Sequence, residues 1–199
     1  SGVDFNSFKT STLDSIRALR LIRAYRINGH LIANLDPLAL HEKIYHPELD
    51  YKSYGFNEND LDREIFIDGS LGLETASLKE IIKILNKTYA SSIGVEFLHI
   101  QSVDQKQWVQ ARIEEAYNKT NFTKQGKKAI FQRLVESELF EQYLDKKFLG
   151  TKRYGIVGGE SMIPGIEQMV KQSCLLGVED IYFGTAHRGR LTLLSTVLG

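Results

Sequence analysis

The chain has 199 residues, of which 42% are hydrophobic and 25% charged, and its 25 basic side chains balance 25 acidic ones. This length allows one or two domains with a hydrophobic core, and the composition is that of an ordinary soluble globular protein. Because the net charge is zero and no apolar run approaches the roughly 20 residues that span a bilayer, we expect neither nucleic acid nor a membrane as a partner. A single cysteine excludes an internal disulfide, which is typical of a reducing compartment.

A first helix is predicted to begin near Ser11 and Thr12, which are common capping residues. Two stripes with three-residue steps follow. The apolar stripe consists of Leu13, Ile16, Leu19, Ile22 and Tyr25, and the arginine stripe consists of Arg17, Arg20, Arg23 and Arg26. The arginine stripe could bind an anion, but a solvated face paired with nearby acids is the favoured interpretation.

Residues 36–75 are rich in loop signals. His41 and His46 lie there among acidic residues, but their spacing matches no zinc signature, so surface-loop histidines are favoured over a metal site. The run Ile65–Ile67 predicts a short buried strand or a core plug.

Two capping-box patterns follow, and each predicts the start of a helix: Ser77 with Glu80, and Ser102 with Gln105. The β-prone residues 93–100 between them predict a short strand or an extended linker.

From Thr123 the apolar spacing predicts a buried helical face, formed by two helices joined near Ser137. Gly150 suits the position just beyond a helix end. We therefore place a domain boundary here, between a mainly helical domain over residues 1–149 and the start of an α/β domain over residues 150–199.

The last fifty residues predict a glycine-rich turn, a helix from about Ser161 to Leu176, a strand ending at Ala186 and a further helix start. That order is typical of one edge of a parallel α/β domain. Ligands of such domains gather at the carboxyl ends of strands, so His187 is predicted to lie at a ligand-binding edge.

The glycine-rich turn is a candidate anion site. Gly158 and Gly159 allow close approach of a ligand, and the following helix offers unpaired N–H groups. The spacing matches neither the Rossmann nor the Walker pattern, so a plain turn would be the default. Arg153 changes that balance, because a planar guanidinium can bind a diphosphate bidentately.

His187 is the strongest candidate for a catalytic side chain, although it could instead only tie two loops together. Glu160 is expected to interact with the helix start rather than to take part in catalysis. Cys174 is expected to be a small core residue.

The segments TKRYGIVGGESMIP and GTAHRGRLTLLSTVLG resemble the thiamine-diphosphate-dependent 2-oxoglutarate dehydrogenases, the decarboxylating first components of the 2-oxoglutarate dehydrogenase complex. Upstream segments agree in the same order: Ala24–His30, Asn34–Leu38, His46–Asp50, Tyr54–Phe56 and Gly94–Ile100. The resemblance runs from about Arg17 to Gly199. The Gly-Asp signature and downstream Asn with which the family holds magnesium and diphosphate are missing from this chain.

The resemblance implies the beginning of an α/β thiamine-diphosphate-binding fold, preceded by a mainly α N-terminal domain. It also implies thiamine diphosphate and Mg²⁺ as cofactors, with metal ligands outside this chain. Arg153, Gly158 and Gly159 would bind the cofactor, and His187 would be catalytic and substrate-binding.

The implied activity is oxidative decarboxylation of 2-oxoglutarate, followed by transfer of the succinyl group to the lipoyl carrier of dihydrolipoyl succinyltransferase. The resemblance further implies a homodimer at full length, located in the cytoplasm of a bacterium or the mitochondrial matrix of a eukaryote. The alternatives are a relative acting on 2-oxoadipate or decarboxylating without oxidation, a non-catalytic helical docking module, and a phosphate-binding regulatory domain.

Overall fold

The computed structural model describes residues 5–40, 42 and 44–198, so His41 lies outside the described residues. The helices are α1 (Phe5–Asn28), α2 (Leu78–Tyr89), α3 (Val103–Glu115), α4 (Lys124–Lys147), α5 (Met162–Leu175) and α6 (Arg190–Leu193); the strands are β1 (Glu64–Phe66) and β2 (Thr75–Ser77). The chain divides into two compact units, Ser1–Thr120 and Asn121–Gly199. The division precedes α4, whereas the boundary expected from sequence follows it, and the domain assignment stays a prediction.

The buried face of α1 differs from the predicted stripe. Leu13, Ile16 and Leu19 are exposed, and the buried residues recur at three- and four-residue steps: Asp14, Ala18, Leu21, Ile22 and Tyr25. A three-residue step turns about 300° on a helix of about 3.6 residues per turn, so a strict three-residue stripe drifts off one face. The helix also begins at Phe5 instead of Ser11, whose carbonyl accepts a hydrogen bond from the Ser15 hydroxyl at 3.1 Å.

The arginines of α1 have separate environments. Arg17 pairs with Asp14 at 3.5 Å, as expected for a face paired with acids. The guanidinium carbon of Arg20 lies 5.7 Å from the centre of the Tyr54 ring. Arg26 is partly buried and forms a bidentate pair with Glu114, so the stripe is not one solvated face.

The N-terminal unit has its core between α1, α2 and a small antiparallel hairpin. Ile65 of β1 is opposite Ala76 of β2, and both are buried, whereas Phe66 points outward. This alternation confirms the predicted short buried strand. Residues 93–100 form no strand and contain a turn at residues 98–99, so they are an irregular connection.

Both predicted capping residues are confirmed. The Ser77 hydroxyl accepts from the backbone N–H of Glu80 at 3.3 Å, and the Ser102 hydroxyl accepts from Gln105 at 3.4 Å. Each bond satisfies a backbone donor that the first helical turn leaves unpaired. The starts of α2 and α3 are therefore set locally.

The C-terminal unit contains α4, α5 and α6. The region from Thr123 is one continuous helix, so the predicted break near Ser137 is wrong; the Ser137 hydroxyl donates to the Arg133 carbonyl within the helix at 2.8 Å. Arg133 also binds Glu167 of α5 through two hydrogen bonds of 2.8 Å. The helix predicted from Ser161 to Leu176 is confirmed as α5.

The strand predicted to end at Ala186 is not formed. Residues 178–186 have no regular secondary structure, and Tyr182 among them is 91% exposed. A strand needs a neighbour for its backbone groups, and the described residues of this unit contain no partner strand. The described chain is thus mainly helical with one two-stranded sheet, and none of its described helices is long and apolar enough to cross a membrane.

Candidate functional site

Two segments of the C-terminal unit lie against each other: the arginine turn (residues 153–160) and the histidine segment (residues 186–193). The backbone N–H of Gly189 donates to the Tyr154 carbonyl at 2.9 Å, and Arg188 donates to the Gly155 carbonyl at 3.0 Å. The rings of Tyr154 and His187 are 4.2 Å apart at an interplanar angle of 48°. The structure therefore brings together the two predicted site segments.

Close packing at Gly189 explains its residue type. Its φ is 69°, in the left-handed region, and a Cβ there would lie 3.0–3.2 Å from Ile156 side-chain atoms. A larger residue would meet both backbone strain and crowding. The histidine segment thus approaches the arginine turn more closely than most side chains allow.

Glu141 of α4 connects both segments. Its carboxylate accepts from the backbone N–H of Ile156 at 2.8 and 3.0 Å and from the Thr192 hydroxyl at 2.6 Å. A Cβ at Gly155 would lie 2.6 Å from its Oε2. We call these hydrogen bonds to Ile156 and Thr192 the Glu141 clasp.

A cavity of about 430 Å³ opens beside the clasp. Its charged lining residues are Glu138, Glu141, Asp145, Arg153 and Glu160. Each carboxylate accepts a hydrogen bond: Glu138 from Gln142, Glu141 from Ile156, Asp145 from Arg153, and Glu160 from Gly158. The cavity is therefore lined by more negative than positive groups.

Arg153 lines this cavity with its guanidinium already engaged. One nitrogen donates to the Phe148 carbonyl at 2.6 Å and the other to Asp145 at 3.1 Å. The Arg153 side chain is 16% exposed and that of Asp145 84%. Because Asp145 is solvated, its pairing with Arg153 is weak enough for an anionic ligand to compete.

Gly158 and Gly159 form a tight turn before α5. Gly158 has a φ of 83° and donates to Glu160 at 3.0 Å, and Gly159 donates to the Ile156 carbonyl at 3.1 Å. Glu160 thus binds the turn, close to the helix start as expected. Neither glycine lines the cavity, and their contact with a cofactor stays a prediction.

His187 is exposed and does not line the cavity. Its ring nitrogens form no hydrogen bond to any described residue, so within that part of the chain its orientation depends on the Tyr154 ring. Its catalytic and substrate-binding role stays a prediction. The expectation for Cys174 is wrong, because this residue is exposed on α5 and not in a core.

The sequence reasoning did not identify Glu141, Asp145 or Thr192. Glu141 stands among acidic residues of α4 that look alike in sequence, and only the fold distinguishes it. Within residues 5–40, 42 and 44–198, no three His, Cys, Asp or Glu side chains are grouped as metal ligands would be.

The curated relatives that this chain resembles are dehydrogenase components. The chain is 54% identical over 187 residues to a protein of Brucella anthropi named 2-oxoglutarate dehydrogenase E1 component, and 52% identical to the proteins of that name from Brucella canis and Brucella suis. Each match covers 94% of this chain and 19% of the relative, so the chain spans about a fifth of their length. No family model matches.

These identities confirm the resemblance inferred from the motifs. The chain is a homologue of part of the 2-oxoglutarate dehydrogenase E1 component. The match leaves out 12 residues (199 − 187) in all. Even if all of these lay at one end of the chain, the match would include both Arg153 and His187.

Proposed function

We propose that this chain forms part of a 2-oxoglutarate dehydrogenase E1 component, which decarboxylates 2-oxoglutarate oxidatively with thiamine diphosphate. The observation that carries the proposal is the 54% identity over 94% of the chain, in a match that includes Arg153 and His187. The direct contacts of the arginine turn with the histidine segment support it, because a shared site needs both segments in one place.

The proposal includes a fold assignment. Residues 150–199 begin an α/β thiamine-diphosphate-binding domain, and residues 1–149 form a mainly helical N-terminal domain. The mostly exposed segment 178–186 supports this assignment, since an apolar stretch without a strand partner among the described residues is suited to join a larger sheet. Pairing would then place His187 at a carboxyl strand end.

Arg153 is the group in the cavity that fits a diphosphate. Its exchangeable pairing with Asp145 would give way to a phosphate oxygen, while the bond to the Phe148 carbonyl would keep the guanidinium in place. The four carboxylates of the lining do not fit a diphosphate on their own, because like charges repel. The remaining positive charge would come from Mg²⁺ and from protein outside these residues.

When bound, thiamine diphosphate supplies the electron sink for loss of carbon dioxide. His187 would contact the 2-oxo acid or hold a proton near it, since its exposed ring nitrogens are free for such a bond. The Tyr154 ring would limit the orientations of that imidazole. Together these residues bind and orient the reactants.

We further propose that the product is transferred within the 2-oxoglutarate dehydrogenase complex. The succinyl group would pass to the lipoyl carrier of dihydrolipoyl succinyltransferase, and the E1 component would act as a homodimer. The bacterial sources of the relatives favour a bacterial cytoplasm over a mitochondrial matrix.

Calorimetry with thiamine diphosphate and Mg²⁺ tests the cofactor assignment. We expect tight binding to the intact E1 component and weak or no binding to the 199-residue chain, because most of the charged residues that line the cavity within the chain are acidic. Arg153→Ala in the intact protein should weaken binding about tenfold or more, as expected for a charge-assisted contact. Arg23→Ala, at an exposed arginine of α1, is the control. Equal effects of the two variants would contradict the role of Arg153.

Steady-state kinetics test His187. His187→Ala should lower kcat for 2-oxoglutarate by about 100-fold or more while changing cofactor affinity little. His99→Ala, at another exposed histidine, should leave both unchanged. Unchanged turnover in His187→Ala would remove this residue from the site, and a higher kcat/KM for 2-oxoadipate would reassign the substrate.

A further inference from the structure

We infer that Glu141 is a positioning residue of this site, which holds the arginine turn in register with the histidine segment. The inference rests on the proposed function, because it concerns the placement of Arg153 and His187 for that reaction. Glu141 itself is assigned no contact with substrate or cofactor.

The geometry of the clasp is the first argument. A single carboxylate on α4 accepts the Ile156 N–H at 2.8 Å, three residues after Arg153, and the Thr192 hydroxyl at 2.6 Å, five residues after His187. Thr192 is 1% exposed, so its hydroxyl has little access to water as an alternative partner. Loss of the carboxylate would therefore remove a hydrogen bond from both segments at once.

The absence of a cationic partner is the second argument. Both described donors to Glu141 are neutral groups, a backbone amide and a hydroxyl. The carboxylate therefore acts here as a hydrogen-bond acceptor of the right length, and its charge is secondary. An amide oxygen at the same place would serve, whereas a shorter carboxylate would not reach.

The crowding at Gly155 is the third argument. A Cβ at this position would lie 2.6 Å from Glu141 Oε2, so the turn is built against the carboxylate itself. Gly155→Ala should push the carboxylate away from Ile156 and reproduce the loss of the clasp without any change at residue 141.

The matched control is Glu138, one helical turn earlier on α4 and on the wall of the same cavity. Its carboxylate accepts from Gln142 at 3.1 Å and contacts neither segment through a hydrogen bond. Glu138→Ala thus removes a cavity carboxylate and leaves the clasp intact.

The experiment combines amide hydrogen exchange with kinetics in the intact E1 component. Glu141→Ala and Glu141→Asp should speed exchange in the arginine turn and the histidine segment, leave α2 unchanged, and lower kcat/KM by about 100-fold, the cost of misplacing a site by about 1 Å. Glu141→Gln should restore both readouts to within about tenfold of the parent. Glu138→Ala should leave hydrogen exchange in both segments as it is in the parent.

Each other outcome overturns the inference at a defined step. Unchanged exchange in Glu141→Ala would show that the clasp does not hold the segments. Faster exchange with unchanged kinetics would show that it holds them without serving the reaction. A Glu141→Gln variant that restores exchange but is as inactive as Glu141→Ala would show that the charge of the carboxylate serves the reaction, and not its positioning hydrogen bonds. If the parent itself neither binds thiamine diphosphate nor turns over 2-oxoglutarate, the proposed function fails together with the positioning role, while the exchange data still report on the clasp.

Discussion

Removal of Glu114 should destabilise the N-terminal unit more than any surface change. Its carboxylate accepts from Arg26 at 2.7 and 3.1 Å and from the Tyr89 hydroxyl at 2.6 Å, which ties α3 to α1 and α2. Burial by itself would lower the pKa of Arg26, but the hydrogen bond and charge of Glu114 outweigh it and raise that pKa. Burial, followed by the bond to Glu114, raises the pKa of Tyr89.

The magnitude follows from what Glu114→Ala leaves behind. Loss of one partner of a buried ion pair costs about 3–5 kcal/mol. The Arg26 side chain is 17% exposed and that of Glu114 11%, so water can reach the guanidinium in part and the lower end applies. We therefore expect a loss of about 3 kcal/mol in the free energy of unfolding, or about 2 M in urea midpoint at a slope of about 1.5 kcal/mol/M.

A urea titration followed by Trp108 fluorescence measures this change, because the chain has one tryptophan and it lies on α3. Lys52→Ala breaks the exposed pair with Glu58 and should cost less than about 1 kcal/mol. The double variant Arg26→Met/Glu114→Leu should be more stable than Glu114→Ala, since no unpaired charge remains. A loss below about 1 kcal/mol in Glu114→Ala would refute the reasoning.

Two further predictions concern the C-terminal unit. Gly189→Ala should destabilise it by about 1–2 kcal/mol, because of the positive φ and the contact with Ile156. Gly165→Ala on α5, where a Cβ meets no other atom within 4 Å, should be neutral or stabilising. Hydrogen exchange of α4 and α5 measures both effects. The hydrogen bond from Arg133 lowers the pKa of Glu167, so its contribution to stability is present above the ordinary pKa of 4.5 and is lost as pH falls through the lowered value. Glu167→Gln should therefore destabilise the unit at pH 7 but differ little from the parent in acid, and a difference independent of pH would contradict this assignment.

Local signals in the sequence predicted the features that local chemistry controls. Ser77 and Ser102 accept the backbone donors that their capping patterns predict, because a cap needs only residues within one helical turn. The bounds of α5 were predicted to within about one residue, although the Ser161 side chain forms no capping hydrogen bond. In the α1 stripe only Ile22 and Tyr25 are buried as predicted, because equal three-residue spacing was accepted in place of the 3.6-residue period.

Features that need distant partners were predicted poorly. The apolar run before His187 has strand-forming residues, but no neighbouring strand is present among the described residues of this unit, so the run forms no regular secondary structure. The resemblance assigned Arg153 and His187 to one reaction, while Glu141 was missed, because nothing in sequence separates it from Glu138.

The residue order alone determined the starts of α2 and α3, the positions of Arg153 and His187, and the kinship with 2-oxoglutarate dehydrogenase E1 components, since these depend on near neighbours or on residue identity along the chain. The tertiary structure alone decided which carboxylate joins the two segments and which partner holds the Arg153 guanidinium. The reason is geometric. Ile156 and Thr192 are separated from Glu141 by 15 and 51 positions along the chain, and their hydrogen bonds to it form only because the packing of the unit brings donors and acceptor within about 3 Å.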